Sequence, residues 1–156
     1  MRVGFGYDVH GFDESRVLQL GGVTIEEAPG LAGWSDADVV CHAIIDALLG
    51  AASLGDSGSH FPEESVPEGA SSLELLGSTG KLVQQAGYRI VNVDCTVVIQ
   101  PVSIGPHRSL MQERISSALE IDRDAVNVAA TTTDGLGFIG RDEGAAAMAV
   151  ALIEEG

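Results

Sequence analysis

Arg89-Ile-Val-Asn-Val-Asp-Cys-Thr-Val-Val-Ile99 places Val91, Val93, Cys95, Val97 and Ile99 on one face and Asn92, Asp94 and Thr96 on the other. β-Branched residues alternating with polar ones specify a half-buried strand, the clearest in the chain. Cys95 falls in the apolar series and reads as a small buried residue. Upstream, Leu73, Leu75, Leu76, Leu82 and Val83 recur at helical spacing, in a helix weakened by Gly77 and Gly80 and ended by Gly87. Downstream, Gln100–Pro106 reads as a loop, with Pro106 in the first turn of a helix that presents Leu110, Met111, Ile115 and Leu119 on one face. Ala125–Ala130 forms another strand, leading into Thr131-Thr132-Thr133-Asp134-Gly135. The alanine-rich run Glu143–Ile153 suits a helix by propensity and a buried strand by its apolar continuity.

Towards the N-terminus, residues 2–10 read as a strand, and Arg16–Leu20, Gly21-Gly22 and Val23–Ile25 as a hairpin or bulged ribbon. A Gly-, Pro- and Ala-rich loop is expected from Glu26 to Trp34. A helix then runs from Asp38 to Leu54, capped by Ser35 or Asp36, with Val39, Ile44, Leu48 and Leu49 in the core. Leu54-Gly55-Asp56-Ser57-Gly58 stops it, and a polar loop continues through Phe61-Pro62-Glu63-Glu64 to Ala70. The alternation predicts an α/β (α+β) fold in a single domain, 1–156, with a mixed sheet and helices on one face. The other face then needs a partner, so a homo-oligomer is expected.

The formal charge of −15 comes from a scarcity of bases: 23 acidic residues face eight Lys plus Arg, and Lys81 is the sole lysine. Nucleic-acid binding runs on phosphate neutralisation and is disfavoured. No 18-residue uncharged apolar stretch offers a membrane span, and MRVGFGYDVH reads as a strand with a charge inside it and not as a signal peptide. A cytoplasmic protein is expected. Two cysteines make no disulfide framework.

Asp8 and His10, two apart on the first strand, share a face, and His42 arrives in the first turns of the first helix. One carboxylate and two imidazoles suit zinc with an open coordination position. Cys41 points about 100° away around the helix and is not expected to share the metal. Asp46, one turn beyond His42, reads either as a partner orienting a ligand histidine or as a structural helix residue.

Gly6-Tyr7-Asp8-Val9-His10, Ser35–Gly50, Leu54–Gly58 and Ala130–Arg141 occur in an order that resembles the 2-C-methyl-D-erythritol 2,4-cyclodiphosphate synthase family over nearly the whole chain. The resemblance implies a homotrimer whose sheets pack together, with active sites at subunit junctions. It implies conversion of 4-diphosphocytidyl-2-C-methyl-D-erythritol 2-phosphate to the cyclic diphosphate with release of CMP, in the non-mevalonate route to isoprenoids. By the same resemblance Asp8, His10 and His42 hold Zn²⁺ or another divalent cation. A second cation, Mg²⁺ or Mn²⁺, meets the substrate diphosphate with Asp134 as its anchor. Thr132 contacts the reacting phosphate, with Thr131 and Thr133 beside it. Asp56 and Gly58 hold the methylerythritol hydroxyls, with Ser35 and Ser57 as further substrate-binding residues and Phe61, Pro62, Glu63, Glu64 and Ser65 as a cover. Ile99, Gln100, Pro101, Val102, Ser103, Ile104 and Gly105 hold the cytidine from a neighbouring subunit. Phe138, Arg141 and Glu143 resemble the family's set near the trimer axis.

Two positions depart from that pattern: Trp34 stands where the family carries a histidine, and Ser103 where it carries a lysine. Trp34 keeps one N–H donor but cannot titrate, and both changes lower the positive potential around a polyanion. Two alternatives follow. One is a metal-dependent hydrolase with Asp38 or Asp56 as general base; the other is a non-catalytic trimer binding a nucleotide or an isoprenoid. His60 and His107 read as a loop residue and a capping or surface residue.

Overall fold

A computed structural model describes residues 1–156. The elements run β1 (Arg2–Leu20), β2 (Val23–Leu31), α1 (Val39–Ala51), α2 (Ser57–His60), α3 (Ser72–Gln85), β3 (Tyr88–Val98), α4 (Arg108–Leu119), β4 (Val126–Thr131), α5 (Gly137–Gly140) and β5 (Gly144–Glu155), with short 3₁₀ turns at Glu63–Ser65, Gly105–His107 and Arg123–Ala125. They build one mixed five-stranded sheet of order β2-β1-β5-β3-β4. β3 and β4 pair in parallel around the α4 crossover, and every other pairing is antiparallel. Val93, Cys95, Val97, Val126, Val128 and the alternate alanines of β5 form a core with α1, α3 and α4 on one face of the sheet.

The opposite face is open. Val3, Phe5, Tyr7 and Val9 of β1 and Met148 and Val150 of β5 form an apolar strip there, with Val3 68% and Phe5 62% exposed. Exposure of that kind marks an interaction surface more than an ordinary scatter of apolar residues.

α1 is the central helix, apolar nearly all round and buried along its length, as a helix enclosed by a sheet and a second helix must be. Its cap is Asp38, not Ser35 or Asp36: the carboxylate accepts from Cys41 N at 3.1 Å. The same group accepts from Gly21 N at 2.9 Å and Gly22 N at 2.8 Å, tying the β1–β2 turn to the helix start. Burial pushes the pKa of Asp38 up, and the three amides pull the other way.

Several sequence expectations change here. β1 is continuous from Arg2 to Leu20, and the expected loop from Glu26 to Trp34 is strand as far as Leu31, because the outer half of β1 pairs with it from Phe12↔Leu31 to Leu20↔Val23. Pro29 is tolerated since β2 is an edge strand and the register shifts beside it. α1 ends at Ala51, short of Leu54, and the polar loop after it contains α2 and a 3₁₀ turn. Leu110 is 40% exposed while Met111, Ile115 and Leu119 are buried, so it leaves the expected face. The ambiguous alanine-rich run is β5, a central strand. Its small side chains allow the close approach of α1.

Candidate metal centre and substrate cleft

Two glycines set the geometry. A Cβ at Gly4 would lie 1.9 Å from Ala47 O, and one at Gly6 would lie 1.9 Å from Ala43 O. Helix α1 therefore rests on the bare backbone of β1. This brings His42, one residue before Ala43, against Asp8 and His10, the next residues on the same strand face.

The ligand atoms of Asp8, His10 and His42 lie within 4.8 Å of one another. Asp8 Oδ2 is 3.0 Å from His10 Nε2 and 3.2 Å from His42 Nδ1. His10 Nδ1 lies 2.6 Å from Ala32 O, which can only accept, so Nδ1 carries the proton and Nε2 turns its lone pair to Asp8. Ser72 Oγ donates to Asp36 Oδ1, so His42 Nε2–H must donate to Ser72 Oγ at 2.8 Å, and His42 Nδ1 also faces Asp8 as a lone pair. With both imidazoles neutral, three lone pairs converge on one point. Asp8 Oδ2 is buried without a hydrogen-bond partner. Such a cluster is built to receive positive charge, from a proton or a metal ion.

The titration directions agree. Burial alone would raise the pKa of Asp8, but the facing imidazoles outweigh it and bring the group down to about 2. The Asp8 carboxylate, 3.0 Å away and ready to accept from a protonated ring, raises the pKa of His10 against an opposing burial effect. A hard carboxylate with two imidazoles, each oriented through its other nitrogen, fits a divalent cation such as zinc.

A cleft of about 290 Å³ opens beside the triad, lined by His10, His42 and the expected residues Trp34, Ser35, Ser57, Gly58, Phe61, Pro62 and Glu63, with Ile45, Val66 and Leu75. Asp56 does not line it: the carboxylate caps α2 through Ser59 N at 2.9 Å. The Ser59 hydroxyl lowers its pKa. Glu64 and Ser65 are exposed just beyond the wall. Asp46 accepts from Ser57 N at 2.8 Å, so it anchors the cleft loop and does not orient a histidine. Trp34 spends its indole N–H on Val66 O at 2.8 Å and has no donor left for a phosphate.

The remaining candidates gather elsewhere. Ile99, Val102, Ser103, Ile104, Gly105, Thr131 and Thr132 line a second groove of about 260 Å³, with Ala130 and Arg108. Gln100 does not line it and instead accepts from Gly135 N at 3.3 Å, and Pro101 is an exposed loop residue. Thr133 bonds Leu136 O and Thr131 bonds Thr132 O, so only the Thr132 hydroxyl turns towards Asp134, at 3.4 Å. Asp134 sits at φ +53°, a left-handed turn position that Asp tolerates. Asp8, Ala147, Val97 and Ala130 form one cross-strand row, so the two grooves lie about 14 Å apart, three strand spacings. Phe138 is half-exposed, and Arg141 pairs with Glu143 at 2.8 Å on the surface, away from both grooves. His60 bonds Leu54 O and His107 pairs with Glu27.

Sequence reading missed Ser72, Asp36 and Arg108. Ser72 and Asp36 are joined only by the fold, whereas Arg108, a base just after Pro106-His107 in a base-poor chain, offered a visible signal.

A family model described as the YgbB family matches residues 1–154. The chain belongs to the YgbB family. Among relatives of this family, it is 53% identical over 156 residues to the 2-C-methyl-D-erythritol 2,4-cyclodiphosphate synthase of Syntrophomonas wolfei, covering 99% of each chain. It is 54% identical over 154 residues to the protein of that name from Syntrophobacter fumaroxidans, covering 98% of this chain and 97% of the other. Among solved structures, the bifunctional IspDF of Campylobacter jejuni superposes with a TM-score of 0.95 at 40% identity, over 99% of this chain and 42% of that one. The Plasmodium falciparum IspF CDP complex follows the same fold, with a TM-score of 0.86 at 33% identity over 99% of this chain and 96% of that chain. No helix is long and apolar enough to cross a membrane.

Proposed function

We propose that this chain, as a single domain of residues 1–156, is a 2-C-methyl-D-erythritol 2,4-cyclodiphosphate synthase working in the cytoplasm. It acts as a phosphorus–oxygen lyase on 4-diphosphocytidyl-2-C-methyl-D-erythritol 2-phosphate, in the non-mevalonate route to isoprenoids. The observation that carries this reading is the half-buried Asp8–His10–His42 cluster beside a cleft, with Asp8 Oδ2 left without a hydrogen-bond partner, in a chain whose relatives of about half-identical sequence bear that name along their whole length.

In the reaction an oxygen of the 2-phosphate forms a bond to the β-phosphorus, the bond from that phosphorus to the CMP oxygen breaks, and CMP leaves with the electron pair. No protein nucleophile is needed. Catalysis is positioning and charge neutralisation. Zn²⁺ held by Asp8, His10 and His42, with Mg²⁺ or Mn²⁺ near Asp134, supplies the positive charge that a chain with one lysine lacks. Ser35, Ser57 and Gly58 orient the methylerythritol end, and Phe61–Glu63 exclude water from it. Thr132 donates to the reacting phosphate, and Ile99–Gly105 hold the cytidine. Arg108 adds the charge that Ser103 does not.

The active unit is a homotrimer. Two grooves about 14 Å apart on one chain, and an open apolar strip on the strand that carries the metal ligands, favour a site completed by a second copy. The hydrolase alternative gains nothing here, because Asp38 is fully buried on three amides and Asp56 is spent as a cap.

Incubation of the purified protein with the cytidine-linked 2-phosphate, Zn²⁺ and Mg²⁺, followed by ³¹P NMR, tests the reading. Cyclic diphosphate with stoichiometric CMP is expected. An open-chain phosphate product would mean hydrolysis, and unchanged substrate would mean binding without turnover; either overturns it.

A further inference from the structure

The covering segment of the cleft is fastened to one short stretch, residues 34–36. Val66 O accepts from the Trp34 indole at 2.8 Å, Gly69 N donates to Trp34 O at 2.8 Å, and Asp36 N donates to Ala70 O at 3.0 Å. The last two bonds are backbone to backbone and would form with other residues at 34 and 36. The first exists only because residue 34 is Trp.

That stretch is itself held rigid. The Arg16 guanidinium donates to Gly33 O and to Ser35 O, one on each side of Trp34. Gly33 also packs on the His10 ring, where a Cβ would come within 3.1 Å. The indole ring stands in the cleft wall with Phe61, Pro62, Glu63 and Val66. Its N–H is thus aimed at the covering segment, from a base tied to the metal centre.

We propose that Trp34 is a positioning residue: its indole latches segment 62–70 across the cleft, so that the wall formed by Phe61–Glu63 and Val66 meets substrate already assembled. This deepens, and rests on, the synthase reading of the same cleft. A preformed wall spares the ordering cost that a loose segment would charge against binding, so the effect falls mainly on KM.

The test compares the full-length protein with Trp34→Phe, which keeps an aromatic ring and removes the N–H, and with Gly69→Ala. A Cβ at Gly69 meets nothing within 4 Å, but φ is +76°, so this change strains the segment's backbone without entering the cleft. Loss of one hydrogen bond predicts amide exchange about fivefold faster in the peptide covering 62–70 of Trp34→Phe, read by mass spectrometry without substrate. Gly69→Ala should shift the same peptide in the same direction. In the ³¹P assay, KM should rise by a similar factor in Trp34→Phe, with kcat falling by less. Unchanged exchange in 62–70, or faster exchange spread over the whole chain, overturns the latch. Faster local exchange with unchanged KM overturns its role in holding substrate. Absence of product from the unaltered protein would instead refute the synthase reading, and the exchange comparison would still decide the latch.

Discussion

Gly6→Ala is the sharpest probe of how the metal centre is built. The added methyl would stand 1.9 Å from Ala43 O and 2.8 Å from Ala47 N, both backbone atoms that cannot swing aside. Restoring ordinary contact requires α1 to retreat from β1 by about 1.5 Å, while metal–ligand distances tolerate only about 0.2 Å. His42 moves with the helix; Asp8 and His10 stay with the strand. Overpacking of this kind costs about 1–3 kcal/mol, so Tm should fall by several degrees in a chain of this size. Zinc affinity should fall by well over tenfold, read by competition with a chromophoric chelator. Gly50→Ala is the matched control in the same helix: its Cβ would meet nothing within 4 Å, so it should keep zinc affinity and gain up to about 1 kcal/mol from helix propensity. If Gly6→Ala bound zinc like the unaltered chain and melted at the same temperature, the close-approach account of the site would be wrong.

Three further expectations follow from the same geometry. Ser72→Ala leaves the α3 cap Ser71 in place but removes the nearer acceptor of His42 Nε2, leaving only Ser35 Oγ at 3.1 Å, so zinc affinity should drop about tenfold with little change in fold by circular dichroism. In metal-free protein, the Asp8 carboxylate, held near pKa 2 against 3.8 when unfolded, contributes about 2 kcal/mol that is full above pH 3.8 and is lost as pH falls towards 2. The His10 contribution is full below 6.5 and lost as pH rises through its raised value, so urea midpoints in EDTA should peak between those limits, and Asp8→Asn should flatten the curve. Finally, His42→Ala and Thr132→Ala chains, each inactive alone and refolded together in equal amounts, should recover about one quarter of the unaltered protein's activity if each site draws on two copies. No recovery would place the whole site within one chain.

Sequence reading reached the site more easily than the path between its parts. Asp8 and His10 are legible because a two-residue period fixes a shared face, and His42 because it follows a capped helix start. The β3 strand is legible from its own alternation. Local pattern could not foresee that β1 runs on through Asp13–Ser15, because the pairing that keeps it extended comes from β2, across a register shift. Nor could it choose between helix and strand for the alanines of β5, whose state is set by neighbours on both sides. The link between Ser72 and Asp36 is invisible for the same reason: 36 residues separate them in the chain. Trp34 was read as a weakened phosphate donor, a natural reading of its chemistry; only the fold reveals that Val66 already claims the indole.

Strand β1 writes two messages in alternate letters. Odd positions from Val3 to Val9 are hydrophobic and point outward; even positions from Gly4 to His10 give the helix its seat and supply two residues of the candidate metal cluster. A slip of one residue against β5 would exchange the two sets, burying Phe5 and Tyr7 under α1 and turning carboxylate and imidazole to the outside. Correct pairing of this single strand is therefore a common checkpoint, since one slip would undo the candidate metal cluster and the outward apolar strip together.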